Sequence, residues 1–249
     1  MNIENYLKYL DVEPQEKLTY VYLAKLQMQH MLKIPFENLD IHLNIPIILD
    51  KEYLFDKIIT KNRGGFCYEL NYLFYNLLIE LGFEVSLLSC RFFHQNTQEF
   101  APEFDHLSLL VNLNQLFLVD VGFGDSFRVP LPIPNGQIKD ISGKYRVYYD
   151  NTDYFLQRLE DEEWLTQYKF SLIPRKIEEF SEMCIFHQTS PNTIFTQKKL
   201  CTVATPLGRV TLTDDNLTIT YNRIKEKHLV LDCNDFNNKL QSHFGITLN

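Results

Sequence analysis

The run Arg63-Gly64-Gly65-Phe66-Cys67-Tyr68-Glu69-Leu70-Asn71 sets a cysteine where a glycine turn becomes a helix. Gly64 and Gly65 are expected to use positive φ to release the chain from a preceding helix. From Phe66 onward a new helix is predicted, closed near Leu81 by Gly82. Cys67, Leu70, Asn71, Phe74, Leu78 and Leu81 repeat as one helical face, so Cys67 points inward from the first turn. Free backbone N–H groups there favour thiolate over thiol. A buried structural cysteine is the plainer reading of any single cysteine, so a nucleophile requires that the chain also supply a base.

The candidate base and its orienter lie in the next segment. His106–Asn112 and Leu116–Gly122 read as strands joined by Leu113-Asn114-Gln115. Pairing Asn112 with Leu116 collects Leu107, Leu109, Val111, Phe117, Val119 and Val121 on one apolar face. The other face then carries His106, Ser108 and Asp120, with Asp120 diagonal to His106. A one-residue slip would put Asp120 on the apolar face. That register excludes a two-residue hairpin loop and predicts a connection of three or five residues. A buried carboxylate beside an imidazole fixes the ring's tautomer and stabilises its cation. Gly122-Phe123-Gly124-Asp125 follows directly, either as a tight turn or as a loop whose N–H groups face an anion.

The elements that must position these residues follow from periodicity. Helices are predicted over Asn2–Leu10, over Thr19 to about Lys33 (stopped by Pro35), and from an Asp50 cap through Ile59. Strands are predicted at Val85–Phe92, Leu107–Val111, Phe117–Val121, Tyr145–Tyr149, Tyr154–Leu159 and Trp164–Phe170. Such a run suggests a barrel-like or strongly curved antiparallel sheet. A helix from Arg175 to about His187, a hairpin of Leu200–Thr205 with Arg209–Tyr221, and a last helix near Asn234–Phe244 complete the chain. The fold class is α+β: an N-terminal helical bundle over 1–83 with the cysteine, a central antiparallel barrel-like region over 84–172 with His106 and Asp120, and a C-terminal α/β lid over 173–249. The site is expected between the helical and strand regions.

Composition narrows the function classes. The 249 residues suffice for a substantial core, and a hydrophobic content of 45% is ordinary for a globular protein. The five cysteines are scattered, with no CxxC pair. With no signal-peptide pattern at Met1-Asn2-Ile3-Glu4, free thiols, no zinc site and a cytoplasmic location are expected. No apolar run reaches membrane-spanning length. A formal net charge of −8 argues against general nucleic-acid binding.

The order RGGFCYE, DHLSLLV, VDVGFG resembles the arylamine N-acetyltransferase family. His30 followed by Pro35-Phe36-Glu37-Asn38-Leu39 is similar to that family, as are Ile173-Pro174-Arg175, Gln188-Thr189-Ser190-Pro191 and Phe244-Gly245-Ile246. The resemblance implies a cysteine-protease/transglutaminase-like core with Cys67 as acyl-accepting nucleophile, His106 as its proton partner and Asp120 as the orienting carboxylate. It implies acetyl-CoA as co-substrate, no metal, and an arylamine, arylhydrazine or arylhydroxylamine acceptor in ping-pong transfer. It further implies that Gly122, Phe123 and Gly124 help hold the diphosphate of coenzyme A, with Phe186 and Asn192 as further contacts. The rivals are a thiol hydrolase or transglutaminase-like acyltransferase, an amide synthase on a secondary-metabolite scaffold, and a binding protein that keeps only the fold.

Other residues have structural expectations. Arg63 and Glu37 are either a buried pair bracing the loop before Cys67, which the resemblance favours, or unrelated surface charges. Glu69 is assigned a structural role at the helix start. His30 is expected to be a satisfied core histidine, and His42, His94, His187, His228 and His243 solvated or locally bonded. Phe36, Phe66, Phe123 and Phe127 are candidates to line an aromatic acceptor pocket.

Overall fold

The computed structural model describes residues 1–248. Helix starts fall where side-chain caps are available. Asn2 caps α1 (Ile3–Leu10) and Thr19 caps α2 (Tyr20–Lys33), each accepting a backbone N–H three residues on. Pro35 ends α2, and the chain enters two elements too short for a periodic signature, β1 (Phe36–Glu37) and α3 (Leu39–His42). Asp50 caps α4 (Lys51–Phe55), which loosens into a π turn over Asp56–Thr60 instead of continuing as one α-helix. Next comes α5 (Cys67–Glu80), which ends at Leu81 and at Gly82 in the left-handed region, φ +92°.

The central sheet comprises β2 (Glu84–His94), β3 (Glu99–Phe100), β4 (His106–Asn112), β5 (Leu116–Val119), β6 (Leu131–Ile133), β7 (Gln137–Asp140), β8 (Gly143–Tyr149), β9 (Tyr154–Glu160) and β10 (Glu163–Phe170). Its antiparallel order is β6-β5-β4-β2-β10-β9-β8-β7, with β3 paired on β2. The end strands β6 and β7 follow one another in sequence, and Val147 N donates to Gly136 O at 3.1 Å. The sheet is therefore a nearly closed barrel. The short strands β3, β6 and β7 were not anticipated, because two to four residues cannot display alternation.

The predicted hairpin register holds. Asn112 pairs with Leu116 and Leu109 with Val119, which leaves Leu113-Asn114-Gln115 as a three-residue connection. Asn114 takes the left-handed conformation at φ +63°. Both faces are buried. Leu107, Leu109, Val111, Phe117, Val119 and Val121 join the helices in the largest core, while Leu118 and Leu88 pack inside the barrel with Phe127, Tyr145 and Tyr168.

The C-terminal region departs further from expectation. The segment from Arg175 is a 3₁₀ turn (Ile177–Phe180) followed by α6 (Ser181–Thr189), since Arg175 bridges to Leu87 on β2. After α7 (Ile194–Gln197) come β11 (Leu200–Thr205), β12 (Gly208–Thr213), β13 (Asn216–Tyr221), β14 (Ile224–Leu229) and α8 (Cys233–Phe244). The expected hairpin is thus a four-stranded meander, divided at Asp214-Asp215 where Thr213 Oγ1 accepts from Asn216 N. β1 joins this second sheet through Phe36 and Thr202. The helical region thereby contributes a strand to the C-terminal sheet, and a third core lies between that sheet and α8.

Candidate active site

Cys67 is the first residue of α5, after Phe66 in extended conformation. The face predicted for this helix is the buried one: Cys67, Leu70, Asn71, Phe74 and Leu78 are all nearly inaccessible. Glu69 turns back and accepts from Phe66 N at 3.1 Å, half of a capping box. Its other oxygen accepts from Lys57 Nζ at 2.7 Å, and Lys57 also pairs with Asp40 at 2.7 Å. Arg63 bridges Glu37 Oε1 (2.8 Å) and Asp40 Oδ1 (2.7 Å), and Glu37 Oε2 accepts from Leu39 N. Of the two readings of Arg63 and Glu37, the buried pair is correct, and it belongs to a five-residue network. The glycines before Cys67 act differently from expectation. Neither Gly64 nor Gly65 is in the left-handed region; a Cβ on Gly64 would lie 2.1 Å from Pro35 O, and one on Gly65 2.8 Å from Glu69 Cβ. They are needed for close approach, not for φ.

His106 begins β4 and Asp120 lies just past β5, diagonal to it as the register requires. Nε2 of His106 meets Asp120 Oδ2 at 2.7 Å, with both side chains buried. Tyr168 Oη donates to the same oxygen at 3.0 Å, while Asn71 Nδ2 and Gly122 N each donate to Oδ1 at 2.9 Å. Four donors thus converge on an acceptor-only carboxylate. They set its orientation, and the Nε2–H bond leaves the lone pair of the neutral ring on Nδ1. Among the described residues no hydrogen bond joins that ring to Cys67 Sγ.

Asn71 ties the three residues into one site. One turn along from Cys67, it also donates to Leu107 O at 2.6 Å and accepts from Val121 N at 2.9 Å. It therefore fastens α5 to β4 and to the loop after β5. Gly122 closes the same junction, since a Cβ there would lie 2.9 Å from Cys67 Cα and 2.6 Å from Asn71 Nδ2. The backbone of Gly122 is thus approached by Cys67 itself, and its N–H is committed to Asp120. Gly124 differs: it is at φ +75°, and a Cβ there would meet only Thr202 Cγ2, at an ordinary contact distance of 3.9 Å. Between them Phe123 sits edge-on to both His106 and Tyr168, with ring centroids 5.1 Å apart in each case. Phe186 and Asn192 lie on the exposed surface of α6 and the turn after it. Among the described residues they make no hydrogen bond or ring contact with Cys67, His106 or Asp120.

Burial pushes the Cys67 thiol well above its ordinary value, reinforced by Asp105, Cys184 and Asp120 and opposed by the N–H of Tyr68. The thiolate expected from the helix start alone is outweighed. Ionisation here needs a partner to receive the proton. Tyr168 is likewise pushed up by burial and by Asp120, so it remains a donor.

His30 and His187 are both buried. His30 is a core residue, but neither ring nitrogen has a hydrogen-bond partner. Its ring packs edge-on to Phe74, and burial lowers it to about 3, so it is neutral. His187 is not solvated; it is buried against Thr193 Oγ1 (3.0 Å) and Asp105 Oδ1 (3.3 Å). Of the four candidate pocket phenylalanines, Phe127 lies in the barrel core against Tyr145 and Phe66 is enclosed by Tyr68 and Phe195. Sequence reading missed Asn71, Tyr168 and Gln27, whose Nε2 donates to the carbonyls of Asp120 and Phe127. Only Asn71 carried a signal, as a polar residue on a face otherwise apolar after Cys67.

A cysteine at a helix start and an Asp-braced histidine on an antiparallel barrel, brought to one junction by Asn71 and Gly122, are the residue types of the thiol acyl-transfer class. Known proteins narrow that class. A family model described as N-acetyltransferase matches residues 20–249. Arylamine N-acetyltransferase 2 of Mus musculus is 30% identical, over 100% of this chain and 95% of the relative. The arylamine N-acetyltransferase of Salmonella typhimurium superposes with a TM-score of 0.94 at 29% identity, covering 99% of this chain and 92% of that one. The Mycobacterium marinum enzyme in complex with CoA gives 0.90 at 29%, covering 98% and 93%. A Bacillus cereus arylamine N-acetyltransferase, described as having a unique Cys-His-Glu catalytic triad, gives 0.92 at 28% over the whole of both chains. The chain belongs to the arylamine N-acetyltransferase family, a family of acyltransferase enzymes.

Proposed function

We propose that this protein transfers the acetyl group of acetyl-CoA, through a thioester on Cys67, to the nitrogen of an arylamine, arylhydrazine or arylhydroxylamine. The observation that carries the reading is the His106–Asp120 pair held against the first turn of the Cys67 helix by Asn71 and Gly122. Because burial raises the thiol, the productive ionisation is transfer of its proton to Nδ1 of His106. The Asp120 carboxylate stabilises the imidazolium, and the Tyr68 N–H supports the thiolate. Contacts of this kind are commonly loose before substrate binds, and the Sγ–imidazole contact is the one that must tighten.

Sγ attacks the thioester carbonyl, the C–S bond to coenzyme A breaks, and the imidazolium returns its proton to the departing thiolate. One thioester replaces another, so this half-reaction is nearly balanced. In the second half the acceptor nitrogen attacks the acetyl-cysteine, His106 takes the nitrogen's proton, and the Cys67 sulfur leaves. Phe123, edge-on to His106, and Gly124, not crowded by Cys67 as Gly122 is, are the parts of the 122–124 loop suited to meet the substrates. Phe186 and Asn192 are proposed as more distant cofactor contacts. Residence in the cytoplasm is part of the proposal, supported by five unpaired cysteines, and so is division into units over 1–83, 84–172 and 173–249. No helix among the described residues is long and apolar enough to cross a membrane.

Incubation with acetyl-CoA followed by intact mass and peptide mapping tests the reading. An acetyl adduct on Cys67, discharged by an arylamine, is expected; a protein that stays unmodified while transfer proceeds would overturn it.

A further inference from the structure

The second sheet has one face with a composition unlike the rest of the molecule. Across β12, β13 and β14 the register aligns Arg209 with Thr220 and Lys225, and Thr211 with Thr218 and Lys227. The opposite face carries Val210, Leu212 and Leu217 into the core beneath α8. Two parallel rows, each running from an inner strand to the edge, thus present three cations and three hydroxyls without a carboxylate. They form one wall of a cleft of about 1010 Å³. The other wall is built from the β7–β8 turn and β9, with Lys139, Ser142, Lys144 and Arg158. In all, eight Lys and Arg against four Asp and Glu line the cleft, an excess of four positive charges in a chain of net charge −8.

These cations are poorly compensated. Arg158 and Arg209 share the half-exposed Asp125, at 3.1 and 3.3 Å, and among the described residues Arg158 has only one further carboxylate, the exposed Glu160 at 3.4 Å. Arg128 is buried, yet its guanidinium donates only to neutral acceptors: Ser142 Oγ (2.7 Å), Thr205 O (2.6 Å) and Gly208 O (2.5 Å). Burial holds Arg128 below its ordinary value against the opposing charges of Asp140 and Asp125, and holds Arg209 below its own against Asp125, with repulsion from Arg128 in addition. Among the described residues Lys139, Arg223, Lys225 and Lys227 form no ion pair. Lysines on an exposed edge strand commonly discourage strand pairing, which would account for Lys225 and Lys227. It does not account for a buried guanidinium that donates to no carboxylate, nor for Arg209 on an interior strand facing the same space.

We propose that this cleft is a binding site for an oligophosphate anion, distinct from the Cys67 centre. Its volume suits a nucleotide-sized ligand. Guanidinium, ammonium and hydroxyl donors on facing walls match the many acceptor oxygens and multiple charge of linked phosphates. The site also has a physical connection to the catalytic loop. Arg209 donates to Gly124 O at 2.6 Å as well as to Asp125, and Phe123 of that loop lies against His106. An anion that draws Arg209 or Arg158 from Asp125 therefore acts on the segment beside the His106 ring. The phosphates could be those of a free nucleotide or polyphosphate, or those of coenzyme A reaching in from the reaction centre.

Calorimetric titration of the full chain with tripolyphosphate tests the site without relying on transfer chemistry, and is repeated on Cys67→Ala. Saturable binding is expected, weakening as salt rises and reduced roughly tenfold or more by Lys225→Glu/Lys227→Glu. Lys17→Glu/Lys25→Glu changes net charge equally at exposed positions outside the cleft lining, and is expected to leave the affinity within about twofold, since exposed charges that do not touch the ligand are screened by salt. Absence of saturable binding, or equal losses in the two double variants, overturns the proposal. Repeating the titration with saturating coenzyme A separates the two sources. Competition, with coenzyme A itself weakened by Lys225→Glu/Lys227→Glu, assigns the cleft to its phosphates; simultaneous binding assigns it to a free oligophosphate.

Discussion

Replacing Asp120 by Asn tests the proposed triad at its third member, and the hydrogen bonds dictate how the amide must sit. Oδ1 accepts from Asn71 Nδ2 and Gly122 N, both fixed donors. An NH₂ group there would face two N–H groups, so the amide oxygen takes that side. The NH₂ then occupies the Oδ2 position and donates to Nε2 of His106. The ring must carry its proton on Nδ1, the nitrogen proposed to receive the Cys67 proton. Two effects follow. Stability falls by about 1–3 kcal/mol, the scale of a charge-assisted hydrogen bond made neutral, and the Tm by several degrees. Turnover falls much further: the equivalent tautomer error in serine proteases costs about 10⁴, or ~5.5 kcal/mol of barrier. The direct assay is the rate of iodoacetamide labelling of Cys67 against pH. In the parent protein labelling extends below the ordinary thiol value of ~8.5, for as long as His106 is free to take the Cys67 proton. In Asp120→Asn it is confined to pH above the ordinary thiol value of ~8.5, because burial then acts on Cys67 without a charged partner. Ser108→Ala is the control, since its hydroxyl engages Cys90 Sγ at 3.0 Å on the same sheet face. A folded Asp120→Asn protein with an unaltered labelling profile would refute the relay.

Cys67→Ser is expected to fold and to lose transfer, with no acetyl adduct by intact mass; near-normal turnover would remove Cys67 from the mechanism. If one cleft serves donor and acceptor in turn, double-reciprocal plots at several acceptor concentrations are parallel, whereas intersecting lines would indicate direct transfer in a ternary complex. Lys57→Met leaves Asp40 and Glu69 without the cation they share and is expected to cost about 3–5 kcal/mol by denaturant unfolding; a loss below about 1 kcal/mol would show that the network tolerates its absence. Burial depresses His30 from 6.5 to about 3, so the unfolded chain binds the extra proton between those values. Its contribution to stability is complete above pH ~6.5 and is lost as pH falls toward 3, at up to ~1.4 kcal/mol per pH unit. His30→Phe should flatten the stability–pH curve in that window, and an unchanged slope would rule out His30 as its source.

The site was legible in the sequence to the extent that it depends on periodicity and register. One face of a helix and one choice of strand pairing suffice to bring Cys67, His106 and Asp120 to a common junction. Both choices leave a visible alternation of apolar and polar residues. Elements that rely on tertiary context left no such trace. β1 exists because Phe36 and Glu37 add to an edge more than 160 residues away, and β6 and β7 exist because the barrel closes. Tyr168 looks like any aromatic on a strand until β10 curls beside β2 and brings its hydroxyl to Asp120. The glycines were correctly placed but assigned the wrong physical reason at positions 64 and 65, and at 122 the close approach of Cys67 left no trace in the sequence. A sequence shows where a side chain is missing, but not which atom needs the space.

The burial that assembles this site also sets the terms of its chemistry. Packing Gly122 against Cys67 Cα and fastening α5 through Asn71 exclude water from the thiol, and that exclusion raises the free energy of an isolated thiolate. A partly exposed cysteine at the same helix start would ionise more readily. Its thiolate would, however, be hydrated, and the thioester formed on it open to hydrolysis. On the proposed mechanism, ionisation in the buried arrangement is coupled to protonation of His106, and the imidazolium is supported by a carboxylate that four donors hold in one orientation. The nucleophile then arises only where a basic ring stands ready to hold its proton and later return it to a leaving group. On this reading the raised thiol is consistent with a nucleophilic Cys67, and a retained acyl group depends on the same exclusion of water.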